Sequence, residues 1–242
     1  MSRHWQLPIL IGLTALAMVG VACQRGETKA AKSVVVFVDV SGSVKDFEVY
    51  REAWSRVIDR LRGGDRIILG RITDETYTRF RPVVDRELPA FNPLTDNKLT
   101  YEKRVKEIRQ EFPQAFETAL AAPRSPRTDV MNTLVLAAQI FAGDPRHRRV
   151  LVILSDMLED SNEYNFEQVR ITDEFIKRVI DSRRQRGRLP DLGGATVYVA
   201  GASARTAEKA HQVQRFWLEY MKAANASLLP QNYGPALVHF NE

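Results

Sequence analysis

The chain alternates between short apolar runs and longer segments in which apolar residues recur every three or four positions. From Ser33 to Val38 it is mainly β-branched and aromatic, which is typical of a strand buried on both faces of a sheet. Residues 46–62 place their apolar side chains on one helical face, and Gly63 and Gly64 then end the predicted helix. A strand followed by a helix is therefore the first repeating unit.

The same alternation continues along the chain. Further strands are predicted at 67–72, 77–88 (an edge strand containing Pro82), 150–154, 195–200 and 236–240. Further helices are predicted at 99–120 (kinked or divided at Pro113), 130–141, 166–181 and 205–224. Strands separated by helices imply right-handed crossovers. The predicted fold class is α/β, with a single doubly wound, mostly parallel sheet, helices on both faces and one antiparallel edge strand.

The amino terminus has the pattern of an export signal. Arg3 and His4 precede an uncharged apolar run from residue 7 to residue 22, which is shorter than the roughly 20 residues that span a membrane. Cys23 follows small residues and is the only cysteine. This arrangement resembles a bacterial lipoprotein signal, and the resemblance implies that Cys23 is lipidated. Ordinary signal-peptide cleavage and an uncleaved anchor are the alternatives.

These features divide the chain into a signal peptide at 1–22, a polar tether at 23–32 and one domain at 33–242. The expected location is outside the cytoplasm, as a membrane-anchored lipoprotein facing the periplasm or the cell exterior. The formal charge of +5 arises from 35 Lys and Arg against 30 Asp and Glu mixed along the chain, so no nucleic-acid partner is expected. A single cysteine excludes an internal disulfide and a multi-cysteine zinc site.

Short oxygen-bearing side chains come together at one predicted edge of the sheet. Asp39, Ser41 and Ser43 directly follow the first strand, Asp156 follows the strand at 150–154, and Thr128 precedes the helix at 130–141. Ligand sites of open α/β sheets lie beyond the carboxyl ends of the strands. Carboxylates and hydroxyls without His or Cys favour a hard cation, Mg²⁺ first and Mn²⁺ second.

These five residues resemble the metal-ion-dependent adhesion site of von Willebrand factor type A domains. The turn at 61–66 is also similar to a leucine-x-x-glycine-aspartate stretch of that family. A long insertion at 73–127 precedes Thr128, and Thr133 is the alternative candidate for the same role. The third segment carries Asp156-Met157 where the family commonly has Asp-Gly.

The resemblance implies a role for each residue. Ser41, Ser43 and Thr128 would ligate the ion directly or through water, while Asp39 and Asp156 would act largely through ligated waters. A Glu or Asp of a protein partner would fill the open coordination position. The expected function is therefore non-catalytic, metal-dependent binding of a protein partner by an exported, membrane-tethered domain.

Other interpretations of the same residues remain open. Asp39 could be the nucleophile of a metal-assisted phosphohydrolase, although position 41 is Ser where such enzymes need a second Asp. The domain could also be structural and bind no metal. Helix capping would also explain single segments, by Ser43 or Asp46 before the first helix and by Thr128 or Asp129 before the helix at 130–141.

Glu159, Asp160 and Glu163 could rim the site, although an exposed acidic loop is the preferred interpretation. The basic stretch 177–188 could bind anionic lipid headgroups or nucleic acid, although a solvated helix end is preferred. The histidines 147, 211 and 239 are interpreted as structural or surface residues.

Overall fold

The computed structural model describes residues 30–42, 44 and 47–242. The strands are β1 (Lys32–Asp39), β2 (Arg66–Ile72), β3 (Val84–Glu87), β4 (Arg148–Leu154), β5 (Ala195–Ala200) and β6 (Ala226–Gly234). The helices are α1 (Glu48–Asp59), α2 (Lys98–Leu120), α3 (Val130–Ala142), α4 (Asp173–Gln185) and α5 (Ala207–Ala223). In this described part of the chain, no helix is both long and apolar enough to cross a membrane.

The strands form one sheet in the order β3-β2-β1-β4-β5-β6. Every neighbouring pair is parallel except β2 and β3, which are antiparallel. The chain first builds outward from β1 through β2 and β3, and then crosses to the other side of β1 to continue with β4. The point where the strand order reverses therefore lies between β1 and β4, as the doubly wound fold class predicts.

Side chains of β1 alternate between two hydrophobic cores, one on each face of the sheet. Val35 and Phe37 pack in the core that contains α3, α4 and α5. Val34 and Val36 pack in the core that contains α1 and α2. Because both faces of β1 are covered, its residues are apolar without alternation. The predicted sheet with helices on both faces is confirmed.

Two predicted strands are wrong in extent or position. The edge strand extends only from Val84 to Glu87 rather than over 77–88, because Pro82 has no N–H to contribute to a ladder. The last strand is Ala226–Gly234 rather than 236–240. Leu237 and Phe240 are buried, as their apolar character predicts, but they pack on the core outside any strand.

Two predicted helices also differ from the structure. The helix expected at 166–181 begins only at Asp173, where the Thr172 side chain accepts a hydrogen bond from the Phe175 N–H and caps it. The helix at 99–120 continues through Pro113 as one element. Phe112 and Phe116 flank that proline and are buried against the α1 side of the core. Their packing offsets the hydrogen bond that the proline cannot make.

Candidate metal site

Asp39 lies at the centre of the sheet edge where the strand order reverses. It is the last residue of β1, and its side chain is fully buried. Oδ1 accepts a hydrogen bond of 2.8 Å from the backbone N–H of Ser41. Oδ2 accepts a hydrogen bond of 2.8 Å from the hydroxyl of Ser155, the residue that follows β4. The Asp39 carboxylate therefore joins the loops that follow the two strands.

Asp156 is the next residue after Ser155, and only 7% of its surface is exposed. Its Oδ1 accepts a hydrogen bond of 2.9 Å from the N–H of Leu158, which holds the loop after β4. Burial, and then the charges of Asp39 and Asp156, raise the pKa of the Tyr50 hydroxyl. The parallel pairing of β1 with β4, and the hydrogen bond from Ser155 to Asp39, place both acids at the same edge of the sheet.

The segment before α3 is fastened to both of these loops. Thr128 and Asp160 exchange two backbone hydrogen bonds, of 3.0 and 2.9 Å. Three residues earlier, the N–H of Ser125 donates to the carbonyl of Val40 at 3.2 Å, in the loop after β1. These contacts bring together Thr128 and the loops that carry Ser41 and Asp156.

Thr133 occupies a different environment from Thr128. Thr133 lies within α3, and its hydroxyl donates to the Asp129 carbonyl at 2.7 Å. Asp129 caps the helix, because its side chain accepts a hydrogen bond of 3.0 Å from the Asn132 N–H. The capping role is therefore carried by Asp129, and the Thr128 side chain does not supply the cap.

A cleft of about 320 Å³ opens at this edge, and Ser41 and Thr128 both line it. Asp39 and Asp156 are the buried acids of the same edge. Ser43 and Asp46 lie outside the described residues, as do Cys23 and the predicted signal peptide. Of the five residues predicted as metal ligands, Ser41 and Thr128 therefore share one cleft, and Asp39 and Asp156 lie at the ends of the neighbouring strands β1 and β4.

Glu159 lines the same cleft, as one of the two sequence interpretations allows. It is 1% exposed, so the expectation of an exposed acidic loop is wrong at this position. Its Oε2 accepts hydrogen bonds from the N–H groups of Val130 and Met131, at 2.9 and 3.1 Å, in the first turn of α3. Its Oε1 is buried without a hydrogen-bond partner in the described structure. Burial, and then the charge of Asp129, raise its pKa to about 8.

Arg124 is a cation whose charge influences the titration of Asp39. Its Nη1 donates to the carbonyls of Ser41 and Val44, at 3.0 Å each. Its guanidinium also lies 4.5 Å from the centre of the Phe47 ring. Burial raises the pKa of Asp39, while hydrogen bonds from Ser41 and Ser155 and the charge of Arg124 oppose that rise. Arg124 thus fixes the loop after β1 and offsets part of its negative charge.

The donor chemistry of this edge fits a hard divalent cation. Asp39 and Asp156 are buried there, with exposed fractions of 0% and 7%. A nearby positive charge would offset the unfavourable burial of an ionised acid. Within the described residues, no group of three or more His, Cys, Asp or Glu side chains is arranged to hold a metal. The predicted ligand set is not a group of that type, because it combines two carboxylates with hydroxyl oxygens.

The basic stretch 177–188 was interpreted as a solvated helix end, and this is wrong for one residue. Arg183 is only 2% exposed, and its Nη2 donates to the side-chain oxygen of Asn132 at 2.9 Å. Glu163 pairs with Arg188 at 2.6 Å, on the exposed side of the same region. Arg183 is thus part of the packing between α4 and the start of α3.

No family model and no curated protein matches the chain. Similar solved structures include the pilus adhesin SpaC from Lactobacillus rhamnosus GG, with a TM-score of 0.47, 11% identity, and coverage of 86% of this chain and 28% of that one. A von Willebrand factor type A structure from Catenulispora acidiphila has a TM-score of 0.38 and 16% identity, covering 81% and 43%. The protein BatB from Bacteroides thetaiotaomicron has a TM-score of 0.33 and 14% identity, covering 71% and 66%.

The chain thus spans between 28% and 66% of the length of these three proteins. At such identities the likeness concerns the fold and does not extend to site residues or activity. The topology and the edge described above define the chain as a doubly wound α/β domain with oxygen side chains gathered where its strand order reverses. Among solved structures, the domain is similar to a von Willebrand factor type A domain.

Proposed function

We propose that the domain binds a protein partner through a Mg²⁺ or Mn²⁺ ion held at the carboxyl edge of β1 and β4, without catalysing a reaction. The observation that carries this proposal is the convergence of three loops: Asp39 is bonded to Ser155, and Thr128 to Asp160. Loops remote in sequence gather oxygen donors at the edge where open α/β sheets bind ligands.

The chain's own residues have distinct tasks in this proposal. Ser41 and Thr128 line the cleft and would supply hydroxyl oxygens to the cation, together with Ser43. Asp39 and Asp156 are more deeply placed and would hold its bound waters. The cation supplies an electrophilic position for an acidic side chain of the partner. Hydroxyl ligands leave more positive charge on the ion than carboxylates do, and this favours an anionic partner.

The burial of Asp39 favours binding over nucleophilic catalysis. Its carboxylate is fully buried, and both oxygens accept hydrogen bonds, from Ser41 and Ser155. A nucleophilic carboxylate must reach a phosphorus atom with a free oxygen. Incubation of the protein with generic phosphate monoesters and Mg²⁺ tests this alternative, and sustained release of phosphate that is lost in Asp39→Asn would support it.

Metal binding can be tested directly with Mn²⁺ and electron paramagnetic resonance. The full chain is expected to bind one equivalent of Mn²⁺ and to release it when Mg²⁺ is added. Asp39→Asn and Thr128→Ala should abolish this binding, whereas Asp59→Asn should retain it because Asp59 lies exposed at the end of α1. Circular dichroism establishes that each variant is folded. Unchanged binding in a folded Asp39→Asn variant would refute the proposed site.

The proposal also includes export and a lipid anchor at Cys23. Cells supplied with an alkyne-bearing palmitate should label the protein, and Cys23→Ala should abolish the label, because no other cysteine is present. The wild-type chain should fractionate with membranes and the variant should not. A labelled Cys23→Ala variant, or an unlabelled wild type in an exported form, would contradict the anchor.

A further inference from the structure

A second cleft adjoins the proposed metal site. It has a volume of about 360 Å³, lies at the end of β2, and shares Ser125 and Pro126 with the first cleft. Three arginines line it, namely Arg71, Arg79 and Arg124. Positive side chains thus stand beside an edge whose own buried groups are acidic.

The two acidic residues of this second cleft already have partners. Asp74 Oδ1 accepts a hydrogen bond of 3.1 Å from the Ser125 hydroxyl. Glu75 forms an ion pair of 3.2 Å with Arg79. Neither carboxylate is within ion-pair distance of Arg71 or Arg124, although the charge of Arg124 also acts on Asp39.

Arg71 makes no hydrogen bond through its side chain and no ion pair with any residue that the structure describes, although it is only partly exposed. Guanidinium groups removed from water normally gain a carboxylate, a carbonyl or a phosphate in return. Among the described residues, Arg124 donates from Nη1 alone, and its Nε and Nη2 groups have no hydrogen-bond partner there. Two guanidinium groups with unused donors therefore face the same cleft.

We propose that Arg71 and Arg124 form an anion subsite that binds a second carboxylate of the partner, beside the one that completes the metal site. The proposal rests on the proposed function for the first carboxylate, but the subsite itself needs no metal. Guanidinium groups bind carboxylates in a planar, bidentate manner. The partner segment recognised here would therefore carry two acidic residues, spaced to span the wall formed by Ser125 and Pro126.

The probes are blocked, fluorescently labelled peptides with one Glu, or with two Glu residues separated by one to six Gly residues. Binding to the full chain is measured by fluorescence anisotropy in Mg²⁺ and in EDTA. Arg71→Gln tests the subsite. Arg56→Gln is the matched control, because Arg56 is exposed on α1 and lies in neither cleft.

In Mg²⁺, the best two-Glu peptide is expected to bind at least tenfold more tightly than the one-Glu peptide, a gain of about 1.4 kcal/mol. Arg71→Gln should remove this gain and leave the Mg²⁺-dependent binding of the one-Glu peptide intact. Arg56→Gln should behave as wild type. Equal binding of both peptides by the wild type, or a gain that persists in Arg71→Gln, would overturn the subsite.

The EDTA arm separates this inference from the proposed function. If Mg²⁺ has no effect, but the two-Glu peptide still binds more weakly to Arg71→Gln than to the wild type, the subsite stands and the metal-dependent function fails. Competition with inorganic phosphate tests whether the subsite prefers a phosphate to a carboxylate. If phosphate displaces the two-Glu peptide at a concentration where acetate does not, the subsite selects phosphate and the assignment to a carboxylate is overturned.

Discussion

Glu159 should make the stability of the domain fall as the pH rises from about 4.5 to about 8. Burial, and then the nearby charge of Asp129, raise its pKa from 4.5 to about 8. Between those values the folded protein holds a proton that the unfolded chain has lost. Stability is therefore greatest below the unfolded pKa and is lost as the pH rises through the folded one.

The size of the effect follows from the shift. One pKa unit corresponds to about 1.4 kcal/mol, so the free energy of unfolding should decrease by roughly 3 to 5 kcal/mol across this window. Asp39, which is buried, and Asp129, which is partly buried, also have raised pKa values, and they contribute with the same sign. A comparison of wild type with a variant lacking the Glu159 carboxyl removes their contribution.

Glu159→Gln is the informative variant. Its amide oxygen can still accept hydrogen bonds from the N–H groups of Val130 and Met131, but the side chain no longer titrates. Urea unfolding followed by circular dichroism, at pH values from 5 to about 9 in EDTA, gives the free energy of unfolding of each protein. Near pH 5 the two proteins should be of similar stability, and by about pH 9 the variant should be the more stable by roughly 3 to 5 kcal/mol.

Glu52→Gln provides the matched control, because Glu52 is exposed on α1. It should follow the wild-type curve at every pH. If the difference between wild type and Glu159→Gln stays constant from pH 5 to about 9, Glu159 does not titrate in this window and the reasoning from its burial is refuted.

Three further predictions concern contacts that stabilise the fold, and each is measured as the free energy of unfolding in urea. Asp65→Asn should cost about 3 to 5 kcal/mol, because it leaves the buried ammonium of Lys32 without its 3.3 Å ion pair; a loss below about 1 kcal/mol would contradict this. Trp54→Ala should cost about 3 to 5 kcal/mol, since its ring is 3% exposed between α1 and α2, and a neutral result would argue against that interface. Gly201→Ala should destabilise by more than about 1 kcal/mol, because φ is +92° and a Cβ would collide with the ring of Tyr50; wild-type stability would show that the turn accommodates a side chain.

The central strands were predictable because burial on both faces leaves an unmistakable apolar run. β1 and β4 were both expected close to their observed bounds, so the sequence alone could place Asp39 and Asp156 at the same edge of the sheet. Helix amphipathicity likewise predicted α1 and α5 to within a few residues, and a segment that is apolar nearly all round predicted α3. These elements were predictable because each depends on a local pattern in the sequence.

Edge elements were not predictable in the same way. β6 contains Pro230 and is buried on only part of its length, so its sequence has neither an apolar run nor a regular alternation. Pairing with β5 defines it, and that pairing is tertiary. Glu159 illustrates the same limit at the site, because the N–H groups that it accepts belong to residues almost thirty positions away. A glutamate in a loop otherwise predicts exposure.

The direction of β1 determines how the proposed anchor and the proposed site are separated. Lys32 begins the strand and Asp39 ends it, and its 8 residues extend over about 26 Å. A lipid on Cys23 would be joined to Lys32 through residues 24–31, and the distance between these two residues is at most about 32 Å when the chain is fully extended. The proposed anchor would therefore place the bilayer nearest the amino ends of the parallel strands. The proposed cation would lie at the opposite edge of the sheet, where a partner can approach without competing with lipid headgroups.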